Sequence, residues 1–131
     1  MKHVKVVAAV IIDANNRVLC TQRPDNKYSY LSKKWEFPGG KIEEGETQET
    51  ALIREIKEEL NLDIEIAEHF LTIEHEYPDF KLTMYSYTCS SKNTTVTLLE
   101  HLNYLWLEKF ELRTLDWAAA DIPIVQKLMN L

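Results

Sequence analysis

The sequence predicts an α/β fold, a mixed sheet flanked by helices, on three observations. Extended runs rich in Val and Ile, such as VKVVAAVII at 4–12, have the length and β-branched content of buried strands. An apolar period of about 3.6 residues governs Thr47 to Leu60, the mark of an amphipathic helix. The remaining extended segments follow one another as hairpins and not as regular βαβ units, which argues for a mixed sheet.

Taken in order, residues 4–12 read as the first strand, ANN at 14–16 as a turn, and RVLCTQR at 17–23 as a second strand. The two are therefore expected to pair as a hairpin. PDNKYSYLSKK at 24–34 is polar and opens on Pro24, so it reads as a loop. WEF at 35–37 is a short extended piece that feeds EFPGGKIEEGET at 36–47, where all three glycines of the chain (Gly39, Gly40, Gly45) are gathered. Such a cluster marks sharp turns or close backbone approach.

The helix from Thr47 follows. Leu52, Ile53, Ile56 and Leu60 fall within one stripe roughly 100° wide. Thr47 is placed to cap its start, although Thr50 stands where a capping box would have Glu or Gln. Asn61 follows Leu60, and Asn is second only to Gly as a left-handed C-terminal cap. DIEIAEHFLTIEHEY at 63–77 and FKLTMYSYTCS at 80–90 read as two strands joined through Pro78 and Asp79. Alternation of Leu82 and Met84 with Thr83, Tyr85 and Tyr87 predicts a half-buried hairpin. NYLWLE at 103–108 is the last predicted strand, and ADIPIVQKLMNL at 120–131 a closing helix with Pro123 in its first turn.

At 131 residues, without repeats or linkers, the chain reads as one domain over 1–131. Its net charge of −6 and lack of a Lys/Arg-rich face disfavour a nucleic acid polymer or an anionic membrane as partner. No apolar run reaches membrane-spanning length, and the first residues lack the small-residue cleavage site of a secretory leader. Cys20 and Cys89 fit neither a metal spacing nor a disulfide framework. A cytoplasmic protein with two free thiols is expected. Any anionic substrate of so acidic a chain needs a cation to relieve the charge conflict.

That condition bears on the helix. With Glu55 set at 0°, Glu59 falls near about +40° and Glu58 near about −60°, so three carboxylates share one arc beside the apolar stripe. One reading is a solvated acidic face in which Arg54 neutralises Glu58. The other is a site for a hard divalent cation, with carboxylates one turn apart and a main-chain carbonyl from the glycine loop. His3, His69, His75 and His101 are scattered, offer no zinc site, and read as surface or packing residues.

Counted from Gly40, the chain runs glycine, five residues, Glu46, seven residues, then Arg54-Glu55-Ile56-Lys57-Glu58-Glu59-Leu60-Asn61-Leu62. This resembles the signature of the Nudix (MutT-like) hydrolases, G-x5-E-x7-R-E-U-x-E-E-x-G-U with U a bulky aliphatic residue. Only Asn61 departs, where the family has glycine, and Asn tolerates the same left-handed cap. The box spans 40–62, and the leading Val-rich strand, WEFPGGK and ADIP have counterparts in MutT-like members.

The resemblance implies a Nudix fold, an α/β/α sandwich around a mixed sheet, and hydrolysis of a nucleoside triphosphate to monophosphate and pyrophosphate with Mg2+ or, in its place, Mn2+. It implies that the Gly39 carbonyl, Glu55, Glu58 and Glu59 hold metal, with Glu55 also polarising the attacking water. Glu46 and Arg54 would brace the loop and helix. Glu100 in LLEHLNY matches an additional metal-binding or basic glutamate of MutT-like members, and Arg23 a substrate-binding arginine.

For the base, Asp121 stands where readers of oxidised guanine carry Asn. With Ile122 and Pro123 it looks more like the branch that hydrolyses CTP. An ionised Asp only accepts hydrogen bonds, so it suits the cytosine amino group and opposes guanine O6. Asp121 as a helix cap is the other reading. Trp35 and Phe37 share one face of their strand, where they either stack a base or pack the core. Three functions stay open: a CTP or dCTP pyrophosphohydrolase, an oxidised-dGTP hydrolase, and a Nudix-fold nucleotide-binding module without turnover. The sequence leaves the oligomeric state undetermined.

Overall fold

The computed structural model describes residues Met1–Leu131. Its elements in order are β1 (Lys2–Ile11), β2 (Val18–Gln22), β3 (Trp35–Glu36), β4 (Gly39–Lys41), α1 (Gln48–Leu60), β5 (Ile64–Glu76), β6 (Phe80–Ser91), β7 (Asn103–Leu107) and α2 (Ile122–Met129). Short 3-10 turns at Lys109–Thr114 and Ala119–Asp121 lie between β7 and α2.

β1 organises the rest. One face of it, Val7, Ala9 and Ile11, packs with Leu52, Ile56 and Leu60 of α1. The opposite face, Ala8 and Val10, packs with Ile124, Val125 and Leu128 of α2. Burial on both faces is why VKVVAAVII is a continuous apolar run and not an alternating one. The result is the expected layering of helix, mixed sheet and helix.

β1 pairs in parallel with β6 from Lys2 opposite Phe80 to Ile11 opposite Cys89. Its other edge pairs antiparallel with β4, and β5 closes the far side, for an order β4-β1-β6-β5. A second sheet has the order β3-β2-β7.

The expected β1–β2 hairpin is therefore not formed. Both edges of β1 are taken, by β4 and β6, and its contact with β2 shrinks to one bridge between Ile12 and Val18. The intervening turn sends the chain into the second sheet: Asn16 adopts φ 62°, and Asp13 Oδ1 accepts the Arg17 N–H at 2.8 Å. The sequence reading also missed β4, because glycines are depleted in strands and read as turn.

The β5–β6 hairpin forms as expected, but β6 is packed on both faces. Leu82 and Met84 join the α2 side, and Tyr85, Tyr87 and Cys89 the α1 side. No helix is long and apolar enough to cross a membrane.

α1 carries the caps the sequence predicts. The Thr47 hydroxyl accepts the Thr50 N–H at 3.1 Å, and Asn61 closes the helix at φ 53°, ψ 40°, its N–H reaching Lys57 O. The apolar stripe needs one correction. Ile53 is 47% exposed, while Ala51 and Glu59 are buried, so the buried arc is rotated into the acidic one. That rotation turns the glutamates toward the sheet.

Asn61→Ala should lower unfolding stability by about 1 kcal/mol, because alanine has no local hydrogen bond to offset a left-handed conformation. Asn61→Gly should leave it within a few tenths of a kcal/mol. Urea unfolding of the two variants checks both.

Candidate active site

The glycines bring the loop onto β1 and α1. A Cβ on Gly39 would meet the Val7 carbonyl oxygen at 1.9 Å, and one on Gly40 would meet the Glu55 carboxylate at 2.3 Å. No side chain fits at Gly39 against the β1 backbone, and one at Gly40 would displace the Glu55 carboxylate from the bare backbone it rests against.

Arg54 fastens this arrangement. Its Nε and Nη2 donate to Glu46 at 2.7 and 2.8 Å, its Nη1 to Glu55 at 2.9 Å and Glu58 at 3.2 Å, and Nη2 also to the Lys41 carbonyl at 3.1 Å. The two-pronged bond to Glu46 joins loop to helix. It also holds the Glu46 carboxyl down at about 2, helped by the Glu43 N–H. Both readings of the acidic helix meet here, since Arg54 does pair with Glu58 yet leaves one oxygen of Glu55 and of Glu58 free.

Glu59 is the outlier among the acids. Its Oε2 is buried and has no hydrogen-bond partner. Burial, followed by the negative fields of Glu36, Glu55 and Glu100, pushes its carboxyl up to about 9. No three Asp, Glu, His or Cys side chains converge closely enough to close around an ion. The donor set nevertheless fits a hard cation. An orphaned buried oxygen of Glu59 lies among the charges of Glu36, Glu55 and Glu100, an excess of negative charge that a cation would neutralise.

Gly39, Gly40, Glu55, Glu58, Glu59 and Glu100 line a cavity of about 1110 Å³. Arg23, Glu36, His101, Phe37, Tyr77 and Asp121 line the same cavity. Arg23 is thus no free surface arginine: its Nη1 donates to Glu36 Oε1 at 2.8 Å.

Asp121 does not cap α2 through its side chain. Its Oδ1 accepts the Phe37 N–H at 3.0 Å, which secures this residue, only 5% exposed, to the backbone just after β3. Burial and the charge of Glu36 raise its carboxyl well above the ordinary aspartate range.

The two aromatic candidates part company. Phe37 lines the cavity and stacks on Trp117, ring centroids 4.7 Å apart. Trp35 does not reach the cavity and packs against the α2-side core. Its backbone is occupied by Asp116 O and Ala118 N–H, which align the strand with the segment before α2.

The sequence reading missed Glu36 and His101. Glu36 stands between Trp35 and Phe37 with no local mark of a site, and His101 has no partner at metal spacing. The one signal for His101 was its position next to Glu100. His101 is buried, as a packing residue would be, and its Nε2 also bonds Glu36, whereas His3 and His69 bond threonine hydroxyls.

A model of the NUDIX domain matches residues 7–127. The chain belongs to the Nudix family. It is a hydrolase of phosphoric anhydride bonds, in a family that generally uses divalent metals. The chain is 33% identical to the CTP pyrophosphohydrolase of Escherichia coli K12 over 131 residues, covering 100% of this chain and 95% of that protein. It is 30% identical to the 8-oxo-dGTP diphosphatase of the same organism, covering 100% of each. Among solved structures, that of the E. coli ORF135 protein superposes with a TM-score of 0.82 at 31% identity, over 100% of this chain and 91% of that one.

The carboxyls set opposite pH dependences. Glu59 and Asp121 have raised folded values, so their contribution to stability is full below the unfolded carboxylate range and is lost as pH rises, for Glu59 toward about 9. Glu46 is depressed, so its contribution is present above that range and is lost as pH falls toward about 2. In chelator, the melting temperature should therefore decline from pH 5 to 9, and Glu59→Gln should flatten that decline. Thermal scans across this range check it.

Proposed function

We propose that this Nudix hydrolase is a Mg2+-dependent pyrophosphohydrolase that converts CTP, dCTP or modified pyrimidine nucleoside triphosphates to the monophosphate and pyrophosphate. One observation carries the reading. A single cavity is lined both by a carboxylate ridge with an orphaned buried oxygen and by a buried Asp121 bonded to the Phe37 N–H.

The Gly39 carbonyl, Glu55, Glu58, Glu59 and Glu100 would hold Mg2+ or Mn2+. Bound there, the ion supplies neutralisation of phosphate charge and a more acidic water. The chain's own groups do the rest. Glu55, fixed by Arg54 and Gly40, orients and polarises the attacking water. Arg23 faces the substrate's anionic side, and Glu46 with Arg54 keeps loop and helix in register. Phe37 lends an apolar wall to the base, while Trp35 supports that wall from the core. In-line displacement at phosphorus asks for positioning and charge neutralisation more than covalent help, which suits this set. The substrate is a small nucleotide; no polymer or membrane partner is invoked.

Asp121 is the group proposed to meet the base. Its burial also supports a second reading. A carboxyl held protonated donates as well as accepts, so Asp121 would no longer oppose guanine O6, and oxidised dGTP becomes an admissible substrate. A binding module without turnover is disfavoured, since every glutamate of the box is present.

Pyrophosphate release with Mg2+ across nucleoside triphosphates tests these readings. The expected result is a kcat/KM for CTP or dCTP at least about 10-fold above the other common triphosphates. Preference for oxidised dGTP would install the second reading, and tight binding without turnover the third. Glu59→Gln should lower kcat by more than about 100-fold with an unchanged far-UV spectrum; near-normal turnover would refute the metal assignment. At pH 7, Mg2+ binding should release close to one proton from Glu59, measured by calorimetry in buffers of different ionisation enthalpy.

A further inference from the structure

We infer that His101 is a positioning residue that ties Glu59, through Glu36, to the substrate-facing Arg23. The inference rests on the metal-dependent hydrolysis proposed above and assigns a residue outside the Nudix box. The imidazole is 4% exposed, and its Nε2 lies 3.0 Å from Glu36 Oε2. A carboxylate only accepts, so Nε2 carries the hydrogen and donates it. The other Glu36 oxygen accepts from Arg23 at 2.8 Å. The same Nε2 is 4.0 Å from the unpartnered Oε2 of Glu59.

One ring nitrogen thus lies within 4.0 Å of two carboxylates that share a poorly screened pocket. Its N–H bonds one oxygen of Glu36 while Arg23 holds the other. Glu59 keeps an oxygen that nothing in the chain consumes.

The backbone beneath His101 is fixed as well. Immediately after it, the Leu102 N–H donates to the Gln22 carbonyl at 2.8 Å, and Asn103 Nδ2 to Gln22 Oε1 at 2.9 Å. Gln22 precedes Arg23 on the chain, so one strand end carries the arginine and locates the ring that reaches it. A histidine present only to fill space would not need its Nε2 on a carboxylate that already has a guanidinium partner.

Two substitutions separate the N–H from the shape of the ring. His101→Phe keeps an aromatic ring without the donor, and His101→Gln places an amide N–H at similar reach. Mn2+ binding, followed by the EPR signal of the free ion, is measured together with kcat, KM and melting temperature. H101F is expected to raise the half-saturating Mn2+ concentration and lower kcat by about 10-fold or more, with KM also raised through Arg23 and the melting temperature within a few degrees. H101Q should restore each value to within about 3-fold.

Wild-type values in H101F, equal impairment in H101F and H101Q, or losses that track the melting temperature overturn the assignment. Should H101F fail to fold, H101N, whose shorter amide falls short of Glu36, replaces it with the same expected loss. A wild-type chain that neither binds Mn2+ nor releases pyrophosphate overturns the proposed function together with this inference. Normal wild-type turnover that H101F leaves untouched overturns the role of His101 alone.

Discussion

The Arg54 guanidinium holds Glu43, Glu46, Glu55 and Glu58 around itself, at 2.7–3.7 Å. Without it those carboxylates would repel one another across a loop that glycines have already brought against β1. With it, the loop cannot swing away from α1, and the helix cannot turn its acidic arc back to solvent. The side chain is itself partly covered, so its fork of donors is held by packing as well as by charge. Glu46, Glu55 and Glu58 take their positions from this one cation.

The cavity is a graded electrostatic environment. Beside it Arg54 holds the Glu46 carboxyl down, while further along α1 burial and neighbouring acids push the Glu59 carboxyl up. Burial and the charge of Glu36 push the Asp121 carboxyl up as well. Glu36 sits between these groups, raising both Glu59 and Asp121 by its charge, and is itself held by Arg23 and His101. The same chain thereby gathers acids whose surroundings push their proton affinities in opposite directions.

Much of this was legible in the sequence because it is local. Thr47, the apolar period and Asn61 fix α1 to within a residue, since caps and periodicity act within a few turns. The spacing of Glu46, Arg54, Glu55, Glu58 and Glu59 is read along one helix and its leading loop. What escaped is long-range. The turn after β1 looked like a hairpin because nothing local announces that β6 will occupy the edge β2 would have used. Ile53 met the period and still faces solvent, because the sheet chose the neighbouring arc. Trp35 and Phe37 both pack with the α2-side core, yet of the two only Phe37 also lines the cavity. Asp121 was legible as a polar group near a helix start, yet its partner, the Phe37 N–H, is 84 positions away.

The parallel pairing of β1 with β6 also bears on how the molecule is made. Its register joins Lys2 to Phe80, and α2, from the end of the chain, covers the opposite face of β1. Bringing such distant segments together spends chain entropy before the contacts return it, so this architecture belongs among the slower-folding small domains. Since β4 hangs on β1 and carries the glycines against Glu55, the catalytic groove takes shape only after the two halves of the polypeptide have met. A nascent chain still on the ribosome, with β6 unmade, holds the box residues and their helix but no groove for them to line.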